Sequence, residues 1–184
     1  VVRGETQISA SKVPIATLRL EPEQCLPLPQ ALKAIRAADI ITVGPGSLYT
    51  SILPNLLVSH VAKVIGLANA TKIFVNNLMT QPGETDGYSA REHLQTIKKY
   101  APEIHFDFVV VNDRRISKEQ AELYAAEGAY QIGIDDPIDD AIDQATEIVR
   151  ADLLDGGEKV RHNADRLAEV VLNCRKQAQA TVAV

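Results

Sequence analysis

Three segments carry residues whose types and spacing suit the holding of a ligand. Gly44-Pro45-Gly46-Ser47-Leu48-Tyr49-Thr50-Ser51 combines glycines, which let a backbone come close to a ligand, with Ser47 and Thr50 hydroxyls that could cap a following helix. Exposed amides at such a helix start suit a phosphate or pyrophosphate. The segment is neither a Walker A loop nor the dinucleotide fingerprint, since no Lys and no third spaced Gly follows, and a plain strand-to-helix turn is the competing reading. In the second segment, Asn76 to Tyr88, Asn76, Asn77, Thr80 and Gln81 offer amides and hydroxyls for a sugar or the edge of a base. It is longer than the roughly 2–6 residues usual between elements of an α/β unit, and Pro82-Gly83 imposes a turn. The competing reading is a solvated loop in which Glu84 and Asp86 face water. The third segment is Asn112-Asp113-Arg114-Arg115.

Other chemistry finds less support. His60, His93, His105 and His162 share no spacing and read as surface or packed residues, while Glu92 is most simply half of a capping box. Neither a Ser-His-Asp or Cys-His constellation nor a metal set with recognisable spacing can be argued, so no catalytic residue, metal ligand or cofactor is assigned. Arg161, beside His162 and just ahead of the last helix, could clamp a phosphate, although a solvated Arg is the simpler local reading.

The elements that must position these segments follow from periodicity. Ile40–Val43, Lys72–Asn76, Phe106–Val111 and Gln131–Ile134 read as strands, with Glu147 to Leu154 as a candidate fifth. Helices are expected over 30–38, from about Thr50 to Ala68 with Pro54 interrupting or opening it, from Ser89 to Tyr100, from Ser117 to near Gly128, and from Asn163 to Lys176. Ser89-Ala-Arg-Glu92 and Ser117-Lys-Glu-Gln120 both have capping-box form, and Gly128 is a good helix-ending residue. The chain opens without Met, on Val1–Ile8 read as strand and turn, followed by Ile15–Leu20 as a second short strand. Strand–helix alternation at this spacing predicts a three-layer α/β domain with a mostly parallel sheet over residues 1–176, followed by a frayed tail over 177–184. Ile40, Ile41, Val43, Ile73, Phe74, Val75, Val109, Val110, Val111, Ile132 and Ile134 are its expected core. In an open parallel sheet, ligands gather at the carboxyl ends of the strands, and all three polar segments fall there.

Composition narrows the function classes. The 184 residues are 46% hydrophobic and 23% charged, a globular mixture with chain enough for a real core. Aromatics make up 4%, with no Trp, which argues against a stacking platform for single-stranded nucleic acid. The net charge of −5 argues against a broad phosphate-backbone surface, so no nucleic-acid partner is expected. No apolar run reaches a membrane span and no signal peptide opens the chain. Cys25 and Cys174 stand alone, the simplest reading being a reduced, cytoplasmic protein.

At these loops the sequence resembles a known family. Gly44-Pro45-Gly46-Ser47-Leu48-Tyr49-Thr50-Ser51-Ile52-Leu53-Pro54-Asn55-Leu56-Leu57 and Met79-Thr80-Gln81-Pro82-Gly83-Glu84-Thr85 closely resemble the YvcK family, also called gluconeogenesis factors, within the CofD-like superfamily. The resemblance runs from about residue 1 to 175. Phospholactate transferases of the same superfamily typically carry a Gly-Pro-Ser-Asn type loop at the first position. YvcK-like proteins begin with a strand and a Gly-Gly-Gly-Thr-Gly type loop that nothing here matches, so the chain looks like the later portion of a longer Rossmann-like protein. The family often has Cys-Asn where this chain has Asn76-Asn77.

What the resemblance implies is a cytoplasmic protein that binds a nucleotide sugar, UDP-N-acetylglucosamine, and supports cell shape and envelope synthesis during gluconeogenic growth. It reads as a non-catalytic factor, with a transferase of phosphate-bearing groups as the alternative. It names no protein partner and leaves room for a homo-oligomer. The family's Tyr and Arg contacts match Tyr124 and Arg161 by local context, which reverses the local reading of Arg161. The expected site therefore comprises Gly44, Pro45, Gly46, Ser47, Leu48, Asn76, Asn77, Gln81, Tyr124 and Arg161. Amides near Gly46 would meet phosphate, the Asn and Gln side chains sugar or base, the Tyr124 ring the uracil and Arg161 the diphosphate.

Overall fold

The computed structural model describes every residue except 12, 135–137, 139–144 and 183–184. Among these residues four strands form one wholly parallel sheet in the order β1-β2-β3-β4: β1 Ile40–Val43, β2 Thr71–Val75, β3 Phe108–Asn112 and β4 Glu147–Ala151. β1 and β2 are direct neighbours, with Ile41 beside Lys72 and Val43 beside Phe74. The order follows the sequence. No reversal of strand order opens a crevice among these four strands, and the shared carboxyl edge alone gathers the loops.

Side-chain alternation divides the sheet between two apolar layers. Val43, Phe74, Val109 and Val111 pack on one face with Leu53, Leu56, Ala62, Ile65, Leu94 and Ile97. These come from α3 Leu53–Leu57, α4 Val61–Leu67 and α5 Ala90–Tyr100. Ile73, Val75, Phe108 and Val110 pack on the other face with Leu153, Leu154 and Cys174, flanked by Leu167, Val170 and Val171 of α7 Ala164–Val182. β3 is buried along its whole length, as a central parallel strand covered on both faces must be. Of the expected core, only Ile40, Ile41 and Ile134 are less than buried; the first two lie on β1, the edge strand of the four.

Both capping boxes form. Ser89 and Glu92 close the start of α5, while Ser117 Oγ accepts from Gln120 N–H at 3.2 Å and Gln120 Oε1 from Ser117 N–H at 3.1 Å at the start of α6 Lys118–Ala126. Asn163 Oδ1 likewise accepts from the Arg166 N–H at 3.0 Å as α7 begins. α7 runs on to Val182, through most of the tail expected to fray; residues 183–184 lie outside the described residues.

Three expectations are corrected. Glu5–Ala10 is a short helix, α1, rather than a strand. Residues 15–20 form no strand and join no sheet: Ile15 and Leu18 pack against the core cluster that α5 covers, and the Leu18 N–H donates to the Tyr100 hydroxyl at 2.8 Å. Residues 131–134 make only an isolated antiparallel bridge, Gln131 with Met79, because β4 takes the place beside β3. The 30–38 helix is α2 Pro29–Ala37. No single helix among the described residues is long and apolar enough to cross a membrane.

Candidate functional site

The site begins where β1 ends. Gly44 has φ +84°, and a Cβ there would stand 2.5 Å from the Val75 carbonyl oxygen, so the missing side chain lets the first loop lie against the end of β2. The chain then enters a π-helical turn, Leu48–Ile52, with Ser47 C=O accepting from both Ser51 and Ile52 N–H at 2.9 Å. Such turns recur at functional sites. Leu48 itself is fully buried and anchors the loop in the core.

The second loop is stitched to the first by side chains. Asn77 Oδ1 accepts from Gly46 N–H at 3.1 Å, and Asn77 Nδ2 donates to Gly46 C=O at 2.8 Å, a reciprocal amide pair. The Gly46 amide expected to meet phosphate is thus engaged within the protein. Gln81 Nε2 donates to Ser47 Oγ at 2.6 Å, and Asn76 Nδ2 to Asn77 C=O at 3.0 Å. The loop is no solvated excursion: Thr80 and Glu84 are each 5% exposed and Thr85 is fully buried. Gln81 N–H donates to Thr85 Oγ1, while Thr80 and Tyr130 exchange two hydrogen bonds of 2.8 Å that tie the loop to the chain after α6.

The competing reading, a solvated loop with Glu84 facing water, fails: Glu84 is buried and the Thr50 hydroxyl of the π turn donates to its carboxyl at 3.1 and 3.3 Å. Thr50→Val keeps the shape and removes that donor. It should cost roughly 1–2 kcal/mol of stability, read as a shift in urea midpoint at constant slope.

A hairpin after β4 completes the edge. Leu153 N–H donates to Asn112 Oδ1 at 3.0 Å, Leu154 bridges to His162, and Asp155 N–H donates to the Arg161 carbonyl at 2.8 Å. The Tyr124 hydroxyl, on α6, accepts from Val160 N–H at 3.1 Å, and Gln120 holds the hairpin tip through the Gly157 and Glu158 carbonyls. Tyr124 and Arg161 are therefore brought to one hairpin, Arg161 exposed and Tyr124 half-buried. An open groove of about 470 Å³ lies beside them, between Arg114–Ser117, Leu123 and Gly156–Glu158. A second recess of about 390 Å³ flanks β1, at Thr42, Gly44, Gly46 and Ile52.

His162 links the two halves. Its ring hydrogen-bonds with the Asn76 backbone at the end of β2. Burial pushes the imidazole below its ordinary range against the opposing pull of that bond, so the ring is neutral near pH 7. This is the residue that sequence reasoning missed; its adjacency to Arg161 was the available signal. Nearby, Asp152 lies 3.2 Å from Arg114 and 2.6 Å from Arg166. Desolvation opposes its ionisation, but the Leu154 N–H and the two guanidiniums hold its carboxyl below the usual range. Under the first loop, burial and then the Tyr88 hydroxyl, 2.9 Å away, raise the Tyr49 phenol above its ordinary value. The β1 and β2 loops present amides and hydroxyls beside a neutral imidazole, while the hairpin after β4 adds guanidiniums and a carboxylate.

Comparison with known proteins follows the same lines. Residues 1–154 match the family model for 2-phospho-L-lactate transferase CofD. A gluconeogenesis factor of Halalkalibacterium halodurans is 37% identical over 182 residues, covering 99% of this chain and 56% of that protein. A putative gluconeogenesis factor of Thermotoga maritima is 44% identical over 172 residues, covering 92% and 54%. A crystal structure of a UPF0052 family protein from Bacillus halodurans superposes with a TM-score of 0.86 at 37% identity, covering 92% of this chain and 54% of that one. The chain thus spans about half the length of the curated relatives it matches.

Proposed function

The chain belongs to the CofD family, among its gluconeogenesis factors of YvcK type, and from that premise we propose that it binds a nucleotide sugar as a regulatory factor of the cytoplasm. UDP-N-acetylglucosamine is the ligand proposed, and support of cell shape and envelope synthesis during gluconeogenic growth the role. The observation that carries this reading is the joining of the β1 and β2 loops to the Tyr124–Arg161 hairpin along one sheet edge, through Asn77–Gly46, Gln81–Ser47 and His162–Asn76. A ligand spanning that edge meets amides at one end and an exposed guanidinium at the other. The Arg161 fork suits a diphosphate, and the Tyr124 ring offers a face to the base.

A second reading comes from the family model's own description, transfer of a phosphate-bearing group. One experiment separates the two. The intact protein is titrated calorimetrically with UDP-N-acetylglucosamine, then incubated with nucleotide-activated lactate and a deazaflavin acceptor. Saturable sugar binding without product supports the regulator, and product formation supports the transferase. Arg161→Ala should weaken nucleotide-sugar affinity by roughly 1.5–3 kcal/mol, the range for a hydrogen bond to a charged group, with an unchanged circular dichroism spectrum. Unaltered affinity would remove Arg161 from the site.

A further inference from the structure

Among the described residues, three buried side-chain atoms at this edge have no hydrogen-bond partner: Asn76 Oδ1, Gln81 Oε1 and His162 Nε2. Native proteins leave few buried polar groups unpaired, and each one asks for a cause. These three belong to one connected cluster. His162 bonds to the Asn76 backbone, Asn76 to Asn77, Asn77 to Gly46, and Gln81 to the adjacent Ser47. A neutral imidazole carries one N–H and one lone pair, so His162 Nε2 accepts in the tautomer that holds its proton on Nδ1. Asn76 Oδ1 and Gln81 Oε1 are acceptors, and His162 Nε2 joins them in that tautomer.

We propose that Asn76, Gln81 and His162 form a subsite for a polyhydroxylated group, so that His162 is a ligand contact and the cluster receives the sugar of the bound molecule. This rests on the nucleotide-sugar reading above. Unpaired acceptor oxygens repel phosphate oxygens, which have no proton to give at neutral pH, and a uracil offers a single N–H. A pyranose presents several O–H donors, and an acetamido group adds an N–H. The loops over the cluster meet through side-chain bonds. A ligand hydroxyl can therefore donate to Gln81 Oε1 while Gln81 Nε2 keeps its bond to Ser47 Oγ, so the orphan oxygens gain donors without breaking any strand pairing. A site built to hydrogen-bond a substrate's hydroxyls discriminates strongly against the analogue that lacks them.

The test is calorimetric titration of the intact protein with UDP-N-acetylglucosamine and with UDP. The sugar should tighten binding by roughly tenfold or more. In Gln81→Leu and in His162→Phe that advantage should shrink to about threefold or less with the UDP affinity retained, whereas Gln81→Glu, which keeps acceptor oxygens, should preserve it. Circular dichroism of each variant checks the fold. Equal affinity for both ligands in the unmodified protein, or equal losses for both in the folded variants, overturns the subsite while nucleotide binding stands. Binding of neither ligand removes the nucleotide-sugar reading and the subsite with it.

Discussion

Gly44→Ala is expected to destabilise the chain by roughly 3 kcal/mol or more, because the left-handed backbone and the clash add. At φ +84° an L side chain is strained on its own account, and its Cβ would lie 2.5 Å from the Val75 carbonyl oxygen. That oxygen ends β2, whose register is fixed by β1 on one side and β3 on the other, so it has little room to move. Relief must come from the loop, which pulls Gly46 and Ser47 from Asn77 and Gln81. Urea denaturation and ligand titration should therefore report loss together. A midpoint shift worth less than about 1 kcal/mol would show that the loop does not need the close approach assigned to it.

Asn112→Leu should cost roughly 3 kcal/mol although it keeps side-chain volume. Asn112 is 3% exposed at the end of β3, its Oδ1 accepting from Leu153 N–H and its Nδ2 donating to the Arg114 carbonyl. Gln131 Nε2 also reaches that carbonyl, so Arg114 keeps a partner, but the Leu153 N–H is left buried and unpaired. The hairpin carrying Arg161 and His162 starts there. Faster hydrogen exchange at Leu153 and weaker ligand binding should accompany the loss in stability. Protection of that amide equal to the parent's would contradict the role given to Asn112.

Much of the frame was legible in the residues. Ile40–Val43 is a β-branched run buried only at Val43, Ile73–Val75 and Val109–Val111 are apolar runs buried on both faces, and the two capping boxes announced the starts of α5 and α6 to the residue. Periodicity failed where partner choice decided. Residues 15–20 alternate like a strand but find a tyrosine hydroxyl instead of a ladder, and 131–134 are displaced from β3 by Glu147–Ala151. α7 outran the sequence estimate because Ala178, past the last expected residue, still packs on the β2–β3 face.

The site divides the same way. Topology alone brings the Gly44, Asn76 and Asn112 loops to one edge, and that much was readable. Which amide meets which was not: the Asn77–Gly46 pair spans 31 residues and the Gln81–Ser47 bond 34. The burial of Glu84 was not readable either, because nothing near it in the chain foretells the Thr50 hydroxyl. His162 was passed over for the same reason, its partner Asn76 being far away in sequence.

The central claim is that one sheet edge holds a nucleotide sugar, and a crystal structure of the intact protein with UDP-N-acetylglucosamine tests it most directly. The account predicts the ligand at the carboxyl ends of β1 to β4, its sugar within hydrogen-bond distance of Asn76, Gln81 or His162 and its diphosphate against Arg161. Density for the ligand at the amino edge of the sheet, or on a helix face away from these loops, would contradict it.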